Sequence, residues 1–260
     1  QVIEGWHGIP FRKPIQHTRE VIEVCRRIFN GETLTYDGEF YHLPLGAEHG
    51  GTGEGKALRS GAPATPNLPI YVASLGPKNL QLTGELADGW LGTSFLPEHA
   101  AQFLDPIRDG AKAAGRDFSK IDIAVGGTVW FTSDVEKAAE TLRPGLAFSL
   151  GAMGSRQHNF YNNAYSRQGY ADEAKEIQRL WLSGKRDEAR ARVPLDLIIG
   201  TNLIGDEAMV KQRLRDYRNA GVTTFRPGLH GDTFEERMQS LGRLMDLVRE
   251  VSAEPAVATR

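Results

Sequence analysis

The sequence predicts an α/β fold built on a parallel sheet, and three observations carry that expectation. Short apolar runs rich in β-branched and aromatic residues alternate with longer segments whose apolar residues recur every three to four positions. One stretch, residues 69–93, reads as strand, tight turn, helix and strand in immediate succession, a βαβ unit that implies parallel strands and a right-handed crossover. A length of 260 residues with 40% apolar content suits one α/β barrel or one large α/β domain.

Composition excludes several function classes. A formal net charge of -2 without a run of Lys or Arg argues against a nucleic-acid partner. One cysteine, Cys25, rules out an intramolecular disulfide framework and fits a reducing compartment, the cytoplasm. No apolar stretch approaches the roughly 20 residues of a membrane helix, so no membrane partner is expected. A chain beginning with Gln1 rather than Met is expected to be processed or a fragment.

The elements follow in order. Residues 1–11 show no sustained period and read as a loop or a short irregular turn. Thr18 can cap a helix reaching about Phe29, with Val21, Ile22, Val24, Cys25, Ile28 and Phe29 on its apolar stripe. Cys25 lies on that stripe and reads as packing rather than as a nucleophile. Asp37-Gly38 between β-formers is a hairpin signal. From residue 44 to 66 glycine and proline dominate, giving a long surface loop that is either a mobile binding segment or a plain connector.

The stretch from Pro69 organises the rest. An apolar run enters the small-residue turn Ser74-Leu75-Gly76, and Pro77 stands where a helix can begin without losing a needed N–H. Leu80, Leu82, Leu86 and Ala87 give the helix an apolar face, with Gly84 as a mild cost. Ligands of parallel sheets sit beyond the carboxyl ends of the strands, which places Ser74, Leu75, Gly76, Lys78, Asn79 and Thr93 at a candidate site. Exposed N–H groups at the helix start, close approach at Gly76 and the charge of Lys78 suit a phosphate. The competing reading is a plain βα turn, since the residues match neither a nucleotide-binding loop nor a dinucleotide fingerprint.

Helix, strand and helix then follow at residues 98–114, 121–131 and 134–142, and the pair Gly126-Gly127 marks a bulge or a close approach to a ligand. Residues 145–163 look irregular. Helices are expected at 173–182, 185–192 and 206–220, and a fourth strand at 222–229. Asp232 with Glu235 makes a capping-box-like start to a helix ending near Val251. Residues 1–251 are expected to form one domain and 252–260 a disordered tail. Four core strands are half the number a closed barrel needs. Either the sheet is open or further strands lie upstream.

Several separated motifs resemble one family. Residues 1–11, Leu34-Thr35-Tyr36-Asp37-Gly38, Pro69-Ile70-Tyr71-Val72-Ala73, Ala87-Asp88-Gly89-Trp90, Asn159-Phe160-Tyr161-Asn162 and Ala220-Gly221-Val222-Thr223-Thr224 are similar, in this order, to the luciferase-like monooxygenase superfamily. More narrowly they resemble its branch dependent on the deazaflavin coenzyme F420. The resemblance implies a (β/α)8 TIM barrel of bacterial luciferase-like type, present as its second half, strands 5 to 8, with a β-hairpin and helical insertions. The family's proton-transfer residues sit on the earlier strands, so no catalytic residue is nominated.

By the same resemblance Val2 and Ile3 approach the ring system, and Ala73, Ser74, Leu75 and Gly76 pass close to the deazaflavin. Lys78 and Asn79 then hold its phosphate, Thr93 contacts substrate, and Arg226 binds an anionic group of substrate or cofactor. Each has a bland competitor: Thr93 as a strand-end hydrogen-bonding group, Arg226 as the partner of a surface carboxylate. Trp6, Trp130 and Tyr161 read as core or pocket wall, with core favoured for Trp130. His7 and His158 lack a second spaced ligand, so no metal site is expected. The implied activity is hydride transfer between F420 and a small-molecule substrate by a homodimer. The alternatives are an FMN-dependent luciferase-like monooxygenase and a non-catalytic half-barrel.

Overall fold

The computed structural model describes residues 2–155 and 157–255. Its contacts divide the chain into two compact units, one of residues up to 72, 78–89 and 106–121, the other of 73–77, 90–105 and 122 onward.

The first unit opens with α1 (Val2–Trp6) and α2 (Pro14–Phe29), followed by the antiparallel pair β1 (Tyr36–Asp37) and β2 (His42–Leu43). It also holds β3 (Tyr71–Val72) and nearly all of α3 (Pro77–Leu86). Ile22 of α2 packs with Val72 and Ala87, and Arg19 of α2 makes a bidentate pair with Glu85 of α3 at 2.7 and 2.6 Å. Glu20 is fully buried. It accepts from the backbone N–H groups of Glu39, Phe40 and Tyr41 at 2.8, 2.8 and 3.1 Å, and so fixes the hairpin turn.

The second unit carries the parallel sheet. Its strands are β4 (Gly89–Gly92), β5 (Asp122–Phe131), β6 (Leu203–Gly205) and β7 (Thr224–Leu229). β5 lies beside β4, pairs with β7 from Ala124↔Thr224 to Val129↔Leu229, and pairs with β6 from Val129↔Leu203. Helix α4 (Ala101–Ala113) follows β4, and α5 (Val135–Gly151) follows β5. Then come α6 (Phe160–Tyr165), α7 (Ala171–Leu182), α8 (Arg186–Ala191), α9 (Leu195–Gly200), α10 (Glu207–Asn219) and α11 (Phe234–Ala253). One core joins Leu150, Ile177, Leu180, Leu197 and Ile198. In another, Trp90, Phe95, Phe103 and Tyr217 meet at ring separations of 5.3 to 6.0 Å. Burial of each such side chain contributes about 2 kcal/mol.

The parallel sheet, the βα alternation and most helices agree with the sequence reading. Several expectations need correction. Residues 2–6 form a regular helical turn with no buried residue, where a loop or a short irregular turn was expected. Helix α2 starts at Pro14, and Thr18 lies inside it, donating its hydroxyl to the Pro14 carbonyl at 2.8 Å. The hairpin turns over residues 38–41, because Gly38 N–H donates to the Tyr41 carbonyl at 2.9 Å and Glu20 holds the intervening amides.

The irregular region at 145–163 is largely helical: α5 continues past Pro144 to Gly151, and α6 begins at Phe160. Packing of α5 against α7, α8 and α9 outweighs the lost hydrogen bond of the internal proline. Strand β6 was not expected at all. The capping box of α11 is Thr233 with Glu236, one residue later than the sequence suggested. That helix reaches Ala253 and Glu254 pairs with Arg215 at 2.7 Å, so the expected tail begins in ordered structure. Its last residues, 256–260, lie outside the described residues. No helix among the described residues is long and apolar enough to cross a membrane.

Candidate active site

The turn after β3 is held in place within the second unit. Trp90 is fully buried and donates Nε1–H to the Ser74 carbonyl at 2.9 Å. Arg167 donates an Nη2 proton to the Leu75 carbonyl at 2.5 Å. Ser74 is buried, while Ala73 is exposed and Leu75 and Gly76 are half-buried. A Cβ on Gly76 would meet nothing within 4 Å, and its φ is not in the left-handed region. Neither backbone conformation nor crowding within the chain therefore requires glycine there.

The segment that clamps the turn was missed in the sequence. After α6 the chain kinks within Ser166–Tyr170, where Gln168 (φ -89°, ψ 16°) and Gly169 (φ 98°, ψ -2°) leave helical geometry before α7 begins. Arg167 and Gln168 lie in this kink. Gln168 is fully buried, accepts from Leu96 N–H at 2.9 Å and donates to the carbonyls of Ser94 and Ala164 at 2.7 and 3.0 Å. One short segment thus positions both the turn after β3 and the end of β4.

Arg167 is an uncommon cation. It has no carboxylate partner among the described residues, its buried Nε has no hydrogen-bond acceptor, and burial pulls it below the ordinary arginine value. An arginine stays charged even so, which leaves a partly desolvated positive charge beside Leu75. In the first turn of α3, Lys78 is exposed, and the buried Oδ1 of Asn79 has no partner. A buried polar atom left without a partner is uncommon in a folded chain.

The end of β4 opens on a second feature of the same unit, a cavity of about 360 Å³ lined by Thr93, Ser94, Gly126, Gly127, Thr128, Tyr165, Thr201 and Asn202 among others. Thr93 is exposed there. Arg226 donates to the Gly92 carbonyl at 3.0 Å and so comes next to Thr93. It makes no ion pair among the described residues. Ser94 is buried with φ 56°, a strained conformation for a residue with a Cβ, of the kind that gathers at functional sites. Burial pushes the Tyr165 hydroxyl up to about 12, despite a hydrogen bond with Ser94 that lowers it. In β5 a Cβ on Gly127 would stand 2.9 Å from the Thr201 carbonyl, so packing requires glycine at that position.

Val2 and Ile3 lie exposed on α1 in the first unit. Asn159 and Asn162 are structural: both donate to the Leu150 carbonyl, at 2.9 and 3.0 Å, and Asn159 caps α6. Trp130 is only half-buried and stacks on His230 at 3.3 Å, and Trp6 is 83% exposed, so neither is core. A larger cavity, about 630 Å³, lies in the first unit. It sits at the entry ends of β3 and β4, and its arginines are committed, Arg26 to Asp88 and Arg116 to the carbonyls of Gly84 and Ala87. Parallel sheets bind ligands at the other end of their strands.

Residues 1–224 match the luciferase-like monooxygenase family. The chain belongs to that family. It is 36% identical to a Mycobacterium tuberculosis protein provisionally named coenzyme F420-dependent oxidoreductase Rv3520c, over 86% of this chain and 65% of the relative. It is 26% identical to the 5,10-methylenetetrahydromethanopterin reductase of Archaeoglobus fulgidus, over 83% of this chain and 60% of that one. The chain therefore spans less than two thirds of the length of these two relatives.

Among solved structures, the coenzyme F420-dependent tetrahydromethanopterin reductase of Methanopyrus kandleri superposes with a TM-score of 0.68 at 24% identity, covering 95% of this chain and 70% of that one. The long-chain alkane monooxygenase LadA gives 0.56 at 16% identity, covering 97% and 59%. These likenesses establish the fold, α/β with the parallel strands of a luciferase-like barrel, as the resemblance in the sequence implied.

Proposed function

We propose that this protein is an F420-dependent oxidoreductase that moves a hydride between the deazaflavin coenzyme and a small organic substrate. The observation that carries the reading is Arg167, an unneutralised, partly buried guanidinium bound to the Leu75 carbonyl in the turn after β3. The names of the relatives supply the cofactor. The bound deazaflavin supplies two-electron hydride chemistry at its C5 carbon.

The remaining work belongs to the chain. Ala73, Ser74, Leu75 and Gly76 present a backbone edge on which a flat ring can lie, and the absent Gly76 side chain leaves room for close approach. Lys78, Asn79 and the N–H groups of the first turn of α3 suit a phosphate. Arg167 offers its Nε to an anionic group. Thr93, Arg226 and the wall of the 360 Å³ cavity bind and orient the substrate. Tyr165 holds its proton on Oη through the physiological range, so it can donate a hydrogen bond but not act as a base. A cytoplasmic homodimer goes with this reading, checked by light scattering of the purified chain.

A second reading, an FMN-dependent monooxygenase, is favoured by the structural likeness to the alkane monooxygenase. Fluorescence titration of the purified chain with oxidised F420, with FMN as competitor, separates the readings. The expected result is saturable binding that FMN does not displace, weakened at least tenfold in Arg167→Ala, as loss of a charge-assisted hydrogen bond of roughly 1.5–3 kcal/mol requires. Displacement by FMN, with oxygen uptake in the presence of reduced FMN, would replace the F420 reading. Binding of neither would leave a non-catalytic half-barrel.

A further inference from the structure

In the first unit, far along the sequence from the turn after β3, three potential metal donors converge. Asp37 ends β1, His42 begins β2, and His49 closes the short helical turn Ala47–His49. His42 Nδ1 lies 2.7 Å from Asp37 Oδ1, and the two imidazoles stack with centroids 3.5 Å apart and planes 3° from parallel. One ligand atom from each of the three residues falls within 4.8 Å of the others. Glu48 adds a carboxylate oxygen 4.0 Å from His49 Nε2. The side chains of His42 and His49 are 23% and 36% exposed, so enclosure by apolar neighbours does not force the stack.

We propose that Asp37, His42 and His49 form a binding site for one zinc-type dication, which clamps the end of the hairpin to the turn that follows it. Donors about 2.0–2.1 Å from a tetrahedral ion stand roughly 3.3 Å from one another, a spacing that side-chain rotation reaches from the separations seen here. Two imidazole nitrogens and one carboxylate oxygen select a borderline metal and disfavour calcium and magnesium, which take oxygen ligands. The fourth position falls to water or to Glu48. The clamp has a physical use. Between β2 and β3 the chain has no α-helix or strand, and a metal that closes part of this loop offsets its ordering entropy. The sequence reading weighed only His7 and His158, because nothing in the order of residues reveals that His42 and His49 meet.

The test is calorimetric titration of the chelator-stripped 260-residue protein with zinc chloride, with the visible spectrum of the cobalt form as a second readout. One zinc per chain is expected, with a rise in Tm on addition. The double variant His42→Gln, His49→Gln should lose both the binding and the Tm rise, and Asp37→Asn should weaken binding about tenfold or more. Circular dichroism verifies the fold of each variant. Should the double variant not fold, His49→Gln alone decides, since that ring lies on a partly exposed turn. Zinc uptake by the variant equal to that of the wild type, or no uptake by the wild type, overturns the proposal.

Discussion

At the scale of single residues the site rests on a few side chains in unusual states. Ser94 combines burial, a left-handed backbone and a hydrogen bond with Tyr165. Two substitutions separate the contributions. Ser94→Ala keeps the strain of a Cβ at φ 56° and loses the hydroxyl, whereas Ser94→Gly loses the hydroxyl and relieves the strain. The glycine variant should therefore be the more stable by about 1 kcal/mol in denaturant unfolding. Equal stability, or a more stable alanine variant, would show that the backbone there is not strained. The position of Ala73 to Gly76 between a strand and a helix, and of Thr93 just past a strand end, was legible because it follows from local strand and turn chemistry. Arg167, Tyr165 and Ser94 were not. Their places come from a hydrogen bond to Leu75 ninety-two positions away and from a kink between two helices whose only sequence trace is Gly169.

At the scale of elements, glycine repays its local cost through packing. A Cβ on Gly84 of α3 would stand 1.9 Å from the Ile107 carbonyl of α4, and one on Gly110 of α4 would stand 2.0 Å from the Gln81 carbonyl. The two helices meet backbone to backbone. The sequence shows only the intrinsic helix cost of Gly84, which predicts that alanine stabilises. The geometry reverses the sign: Gly84→Ala should destabilise by about 3 kcal/mol, measured as a lowered denaturant midpoint. A stabilised variant would mean that the helices can move apart freely. The same division explains the other elements. Long amphipathic helices such as α10 and α11 were legible from period alone, because each shows one apolar face. Strand β6 was not, being three residues long, and α5 was cut short at Pro144 because tertiary support for a proline is invisible in sequence.

At the scale of the whole molecule, the division into two compact units was not legible either, because both units draw on residues 73–121 and interleave there. What unites the chain chemically is a set of carboxylates held ionised by hydrogen bonds. Burial alone would push Glu20 up, but Gln16 and the amides of Phe40, Glu39 and Tyr41 outweigh it and hold the group below the ordinary 4.5. The hydrogen bond and charge of Arg19 do the same for Glu85 against its burial. For Glu98, Arg213 and a backbone N–H outweigh a desolvation that raises it.

A folded-state value depressed below the unfolded one means that the unfolded chain binds more protons in the acid range. Stability therefore rises with pH there, is fully present above the unfolded value, and is lost as pH falls through the depressed folded values. Neutral solutions should show a plateau, with decline beginning below about pH 5. Glu20→Gln tests the fully buried member of the set. Its amide can accept from only part of the hairpin turn and sets an N–H against the rest, so the variant should lose about 1–3 kcal/mol at neutral pH. The gap between wild type and variant should then narrow as pH drops through the acid range, since protonation of Glu20 removes in the wild type what the substitution removes outright. A gap that stays constant down to pH 3 would place the cost of Glu20→Gln in packing rather than in the charge that organises the hairpin.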